Sequence, residues 1–388
     1  MIDFDQALAL IAAAAQPLGR EEVALEAGHG RTLAEPVRAL VASPPRDVSA
    51  MDGYAVRDAD LPGRLAVAGE ALPGGADAAL TPGTCLRIFT GAPAPADADR
   101  IVIQEEVTRD GEVAIFGPPG AARHIRPRGS DFNVGDVLLE AGRRLDPRAL
   151  VAAAGADCAE LCVWRRPRVA ILGTGDELAA PGSARATPGA IPDSLSLGLA
   201  ALVAEAGTQV VDRRRLKDDL PTMESAAAEA LAGADPVVVT GGASVGARDF
   251  AKAMFLPAGL ELIFAKVAIK PGKPVWFGRA RGKLVLGLPG NPTSALVTAR
   301  LLLAPLLAGL SGRAPTLEWR QAPLAADLAA PGDRETFVRA VWNGGAVRTL
   351  SNQDSGAQKT LADAALLVRR RAGSSAAQAG DPVDIIDF

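Results

Sequence analysis

The sequence predicts a multidomain chain combining α/β and β architecture: a doubly wound α/β domain, a β-rich lobe before it and a small C-terminal all-β domain after it. Three observations carry this. From Arg168 onward, short apolar runs that end in glycines alternate with segments of helical period. Residues 60–145 are rich in Gly and Pro, with only short apolar runs. Residues 313–388 return to short strand patterns with no long helical repeat. A length of 388 residues exceeds one ordinary domain, and 48% hydrophobic residues can build a sizeable core.

The elements follow in order. Asp3 and Gln6 form a capping pair, and Phe4, Ala7, Leu8 and Ile11 mark one face of a first helix. Pro44 and Pro45 then break the chain. Ile101 to Val107 and Glu112 to Phe116 flank Arg109-Asp110-Gly111, and Asp-Gly is a strong hairpin signal. Val169 to Leu172 is a buried-type strand ending in Gly173-Thr174-Gly175. Leu195, Leu199, Leu202, Val203 and Ala206 repeat at helical spacing until Gly207. Val210-Val211 reads as a strand, and Pro221 sits in a helix first turn. Pro236 to Thr240 and Lys283 to Gly287 are further strands, and Asn291-Pro292 caps the helix that follows. Thr336 to Trp342, Ala346 to Leu350, Ala364 to Val368 and Pro382 to Ile386 are the strands of the last lobe.

Composition excludes several functions. A net charge of -4 gives no basic field for nucleic acid. Cys85, Cys158 and Cys162 make no disulfide framework. With only His29 and His124 beside them they make no zinc set, so they read as small buried hydrophobes. The N-terminus has no basic region followed by an apolar run, so no secretory signal is expected. Leu296 to Leu310, interrupted by Arg300 and Pro305, is too short to span a bilayer. A cytoplasmic protein with no membrane contact is expected.

In doubly wound sheets, ligands bind beyond the carboxyl ends of the strands. Three glycine loops stand at such ends: Gly173-Thr174-Gly175-Asp176-Glu177-Leu178, Thr240-Gly241-Gly242-Ala243-Ser244-Val245-Gly246, and Leu288-Pro289-Gly290-Asn291-Pro292-Thr293-Ser294. Each alone is equally a plain tight turn; three together point to an anion site, the third running straight into a helix N-terminus. The dinucleotide fingerprint fails, because its third glycine would fall on Leu178. The nucleotide-triphosphatase loop fails at Pro274. Lys270-Pro271-Gly272-Lys273-Pro274 sets two ammonium groups on a stiffened turn, either a phosphate clamp or a solvated basic loop. Asp52, Asp131, Asp176, Glu177, Asp218 and Asp249 lie beside Gly or in turns, and carboxylates near a phosphate site call for Mg²⁺.

Ser49-Ala50-Met51-Asp52-Gly53-Tyr54-Ala55-Val56 resembles the hallmark of the molybdopterin molybdenumtransferases, which include the E domain of gephyrin. Five more segments match in order: Phe89 to Pro93, Arg128 to Asp131, Gly173 to Leu178, Thr240 to Asp249, and Ile269 to Pro274 with Leu288 to Ser294. The resemblance covers nearly the whole chain. It implies an elongated homodimer of four-lobed chains with a molybdopterin-binding-like third lobe. The lobes would be a discontinuous linking domain (1–25 with 42–52 and 135–165), the β-rich lobe (26–41 with 53–134), the α/β domain (166–312) and the C-terminal domain (313–388). The implied substrates are adenylylated molybdopterin and molybdate; AMP leaves with Mg²⁺ assistance.

Asp52, Thr90, Asp131, Glu177, Asp218 and Asp249 would be catalytic, with Glu177, Asp218 and Asp249 on the metal. Gly173, Thr174, Gly175, Asp176, Gly241, Gly242, Ser244, Lys270, Lys273, Pro289, Gly290, Asn291, Pro292 and Ser294 would bind the pterin or nucleotide. Implied partners are a second copy of the chain, the molybdopterin adenylyltransferase that supplies substrate, and the molybdoenzymes or nucleotide-attaching enzymes that receive product. Val48 and Leu195 depart from the family, which usually carries Asn at both positions. A non-catalytic molybdopterin-binding scaffold, a tungstate-specific paralogue and a transferase on another small molecule remain alternatives.

Overall fold

The computed structural model describes residues 1–241 and 250–388. The α/β domain is built on a six-stranded sheet. In chain order its strands are β1 (Arg168–Thr174), β2 (Gln209–Leu216), β3 (Pro236–Thr240), β4 (Glu261–Phe264), β5 (Trp276–Ala280) and β6 (Lys283–Leu288), in spatial order β2-β1-β3-β6-β5-β4. β1 is parallel to β2 on one side and to β3 on the other, and β3 is parallel to β6. The chain therefore winds outward in both directions from β1, and the crevice between β1 and β3 is the switch point where such sheets bind ligands. β5 runs antiparallel to both β4 and β6. The sequence reading missed β4 and β5, because the Pro-rich Lys270–Pro274 turn and the Arg281-Gly282 turn disguise a tight hairpin.

Helices Leu195–Glu205 and Pro292–Leu310 cover one face of the sheet, through Leu199, Val203, Leu301, Leu302 and Leu306 on Val169, Ile171 and Leu286. Helix Leu220–Gly233 covers the other, through Met223, Ala227 and Leu231 on Leu172, Val237 and Val239. Strands buried on both faces explain the unbroken Val-Val-Val of β3. Helix Pro292–Leu310 has 19 residues and by length and composition could cross a membrane, but 78% of its most apolar window is buried inside this core. Its apolarity is that of a core helix. A π-turn at Ala299–Leu303 lets the chain continue through Pro305.

Helix Phe4–Ala14 starts with the expected capping box, Gln6 N donating to Asp3 Oδ1 at 2.7 Å. It buries Phe4, Ala7 and Ile11, while Leu8 stays half-buried. That face packs into the α/β core and against Phe337 of the C-terminal domain, with ring centroids 4.9 Å apart. Its residues therefore belong with the α/β core rather than with the linking domain. The C-terminal sheet is ordered Ile269–Lys270, Glu335–Asn343, Leu366–Arg370, Pro382–Asp387, Arg320–Pro323. Its first strand comes from the α/β segment of the chain, so the Lys270–Pro274 turn ties the two domains together.

The linking domain forms where Arg20–Ala24 pairs with Glu160–Trp164 and Val37–Arg38 with Val137–Leu139. Leu33, Val37 and Ala39 pack there on Leu139, Ala153 and Val163. Segment 26–41, assigned above to the β-rich lobe, thus packs with the linking domain. Val48–Ser49, assigned to the linking domain, instead pairs with Ile125–Arg126 at the β-rich lobe. The apolar contacts of each segment, invisible without tertiary structure, decide its domain. The β-rich lobe is built on a six-stranded sheet of its own. The Asp-Gly hairpin joins Val107–Asp110 to Val113–Phe116, with Gly111 at φ 60°. Arg100–Ile103 is a separate strand on Gly53–Val56, so the expected run Ile101 to Val107 is two strands. Cys85 is fully buried, and burial pushes its thiol up to about 11; Cys158 and Cys162 are only half-buried.

Candidate functional site

The carboxyl ends of β1, β3 and β6 open into one cavity of about 620 Å³. Thr174, Gly175, Glu177 and Leu178 line it from the β1 end, Thr240 and Gly241 from β3, and Pro289, Gly290, Asn291, Pro292 and Ser294 from β6 and its helix. Asp218 enters from the loop after β2. The three glycine loops meet because two glycines touch. A Cβ on Gly290 would stand 3.1 Å from Gly241 Cα. Gly241 itself has φ 88°, and a Cβ there would stand 2.5 Å from the Thr174 carbonyl oxygen. Gly241→Ala is therefore expected to destabilise the chain by on the order of 1–3 kcal/mol. Urea unfolding read by circular dichroism checks it; a midpoint equal to wild type would contradict the packing described.

The cavity lining combines groups suited to an anion with groups suited to a cation. The first-turn N–H groups of helix Pro292–Leu310 have no acceptor within the helix, and its dipole favours negative charge there. The buried Oδ1 of Asn291 and Oγ1 of Thr293 in the same turn have no protein partner among the described residues. The Glu177 carboxylate, also in the lining, folds back over Gly175, where a Cβ would sit 2.7 Å from Glu177 Oε2; Gly175 also has φ 145°. Asp176 does not line the cavity; its Oδ1 accepts from Asp218 N at 3.1 Å, joining the β1 loop to the β2 loop. Gly173 is the buried penultimate residue of β1, which places the loop without facing the cavity. Lys270 and Lys273 are exposed and neither lines the cavity; of that turn only Pro274 does.

A second cluster lies in the β-rich lobe. Thr90 donates to Asp52 Oδ1 from both its N–H, at 2.8 Å, and its Oγ1, at 2.9 Å. These bonds, with the nearby Arg87, hold the Asp52 carboxyl below its usual range. The loops are clasped by Ser49 N on Ala92 O and Gly91 N on Ser49 O. Gly53 is forced by strand packing, since a Cβ would stand 2.1 Å from Val102 O. Asp131 is exposed, and its N–H donates to Ser43 O at 3.0 Å. None of Asp52, Thr90 or Asp131 is among the residues lining the 620 Å³ cavity.

Three family models match in order: the MoeA N-terminal region (domain I and II) over residues 2–156, the probable molybdopterin binding domain over 170–309, and the MoeA C-terminal region (domain IV) over 321–388. The chain is 38% identical to the molybdopterin molybdenumtransferase of Haemophilus influenzae, over 79% of this chain and 76% of that one. It is 34% identical to the molybdopterin molybdenumtransferase of Synechococcus elongatus, over 97% and 96%. The chain belongs to the molybdopterin molybdenumtransferase family. The fold agrees: the molybdopterin biosynthesis MoeA protein of Pyrococcus horikoshii superposes with a TM-score of 0.84 at 26% identity, covering all of both chains.

In this member of the molybdopterin molybdenumtransferase family, one wall of the cavity holds none of the expected site residues, although Leu195 within it departs from the family's usual Asn. Ile191, Pro192, Asp193, Ser194 and Leu195 close it on the side of helix Leu195–Glu205, and Gln358 closes it from the C-terminal domain. Asp193 is almost fully buried and caps that helix, accepting from Ser196 N at 3.1 Å and Ser196 Oγ at 2.6 Å. Its signal was present, an Asp-Ser before a helical repeat. Gln358 carried none. Gly242, Ser244 and Asp249 lie outside the described residues. For a divalent cation, no group of three carboxylate, His or Cys ligands gathers among the described residues. Glu177 and Asp218 nevertheless face one cavity, and Mg²⁺ ordinarily takes only one or two carboxylates with water and substrate phosphate. The donor set fits it.

Proposed function

We propose that this chain is a molybdopterin molybdenumtransferase that accepts adenylylated molybdopterin and molybdate and releases AMP and the molybdenum cofactor. The observation that supports this most is the switch-point cavity of its molybdopterin-binding-type domain, whose lining brings together a helix N-terminus, Glu177 and Asp218. Water attacks one phosphorus of the P–O–P bridge and breaks its P–O bond so that AMP leaves, and the two pterin dithiolene thiols bind molybdenum through sulfur while their protons leave with a displaced molybdate oxygen as water. The helix at Pro292 and Ser294 would hold phosphate, and Thr174 and Gly241 would orient it. Glu177 and Asp218 would hold Mg²⁺, which when bound neutralises charge developing on the departing phosphate. A cytoplasmic location is part of the same reading, as are supply by a molybdopterin adenylyltransferase and delivery to molybdoenzymes. The experiment is turnover of adenylylated molybdopterin with molybdate and Mg²⁺, followed as AMP released.

Lys270 and Lys273 reach toward the same phosphate in this reading. Lys273→Ala is expected to weaken molybdopterin binding about tenfold at low salt, the worth of one charge-assisted hydrogen bond. The wild-type affinity should fall as salt rises. Calorimetry at two ionic strengths checks both; equal affinity for the two proteins at low salt removes the lysine from the site.

The chain also works as a homodimer in this proposal. Asp52 and Thr90 sit in a lobe with its own core, apart from the cavity they would complete. The linking domain exposes Leu40, Val137 and Val151, an apolar set suited to a second copy. A two-fold pair would set the Asp52 loop of one chain at the cavity of the other.

A further inference from the structure

We infer that the apolar groove beside the cavity holds the flat heteroaromatic ring of the ligand whose phosphate sits at the Pro292 helix end. The inference rests on the proposed function for the phosphate end and goes beyond it in placing the ring. The groove has a volume of about 670 Å³ and is continuous with the cavity, sharing Ser194, Leu195, Pro292 and Gln358 with it. Three helices form it: Leu195–Glu205, Pro292–Leu310 and Gln358–Asp363.

Its shape suits a planar group. The two long helices approach closely at Gly198, where a Cβ would stand 3.3 Å from Leu296 Cδ1, so the floor is the methyl groups of Leu296. Leu202 and Leu361, both half-buried, flank that floor. Core helices of this kind bury such residues against another element; here two of them face an open slot, large enough for a small molecule. The far end is polar. Arg300 lies in the π-turn of the long helix and donates from Nε to Asp387 O at 2.7 Å; its terminal nitrogens, which make no hydrogen bond among the described residues, could meet ring acceptors, and Glu205 lines the same end. From Pro292 to Arg300 the helix rises about 12 Å at 1.5 Å per residue. A phosphate, a short linker and a bicyclic ring span such a length. An alkyl chain would leave Arg300 and Glu205 unmatched.

Both ends of the proposed substrate carry such a ring, a purine and a pterin, and the experiment separates them. Leu202→Trp and, from the opposite wall, Ala362→Trp fill the groove from two independent elements. Neither residue lines the cavity. Calorimetry on the full-length protein would use inorganic phosphate, AMP and neopterin monophosphate, with circular dichroism and sedimentation as controls of fold and assembly. The expected result is a loss of roughly 10- to 100-fold in affinity for one ring ligand, the worth of one stacked base, with phosphate affinity unchanged. Loss for AMP assigns the purine, and loss for neopterin monophosphate assigns the pterin. If folded variants bind both ring ligands as wild type does, the ring lies elsewhere. The inference also falls if neither ring ligand binds wild type more tightly than phosphate. A changed oligomeric state with unchanged affinities would assign the groove to a second copy and overturn it. Wild type that binds none of the three would overturn the phosphate reading itself, a failure distinct from the others.

Discussion

Glu177→Gln should lose AMP release by a factor of about 100 or more, the scale of removing one group that stabilises transition-state charge. The substitution keeps the shape of the side chain and removes only its charge. Glu177 lies over Gly175 at the solvent-facing side of the cavity, so folding should be untouched. Asp218→Asn should share the defect, because both carboxylates face the same space. Raising Mg²⁺ should recover part of the loss if the carboxylates act by holding it. The measurement is single-turnover AMP release across a Mg²⁺ series, with thermal unfolding as control. A folded Glu177→Gln protein that releases AMP at the wild-type rate at every concentration removes Glu177 from the chemistry.

The second large effect is a recovery. Asp52→Ala and Glu177→Ala should each be inactive as homodimers. A verified heterodimer of the two carries one site with both lesions and one with neither, so about half the wild-type activity should return. Asp52 is oriented by Thr90 within the β-rich lobe, and Glu177 belongs to the α/β cavity. Co-expression with two tags and sequential affinity steps would yield the heterodimer. If it stays as inactive as its parents, each site is built within one chain and the shared-site reading fails.

Much of this architecture could be read from residue order, for physical reasons that differ by region. β3 was legible because a strand covered on both faces must be apolar throughout, as Val237-Val238-Val239 are. The glycine loops were legible because Gly175 and Gly241 hold backbone angles that other residues resist. The assignment of segments to lobes failed where long-range contacts decide. Leu33 and Val37 choose partners more than a hundred residues away, on Leu139 and Val163. β5 was missed because Trp276 is bounded by Pro274 and a tight turn, which read locally as loop. Gln358 could not be found at all: nothing around it signals a cavity, and only the docking of the C-terminal domain, tied on by Ile269–Lys270 pairing with Glu335–Asn343, brings it there.

Reconstitution of an apo-molybdoenzyme tests the central claim most directly. Purified protein, adenylylated molybdopterin, molybdate and Mg²⁺ would be incubated together, with AMP and the recovered molybdoenzyme activity measured in the same sample. The account predicts that AMP and active enzyme appear together, that both require molybdate and Mg²⁺, and that Glu177→Gln abolishes both. Tight retention of molybdopterin with no AMP and no reconstituted enzyme would contradict it, and would leave a binding protein in place of a transferase.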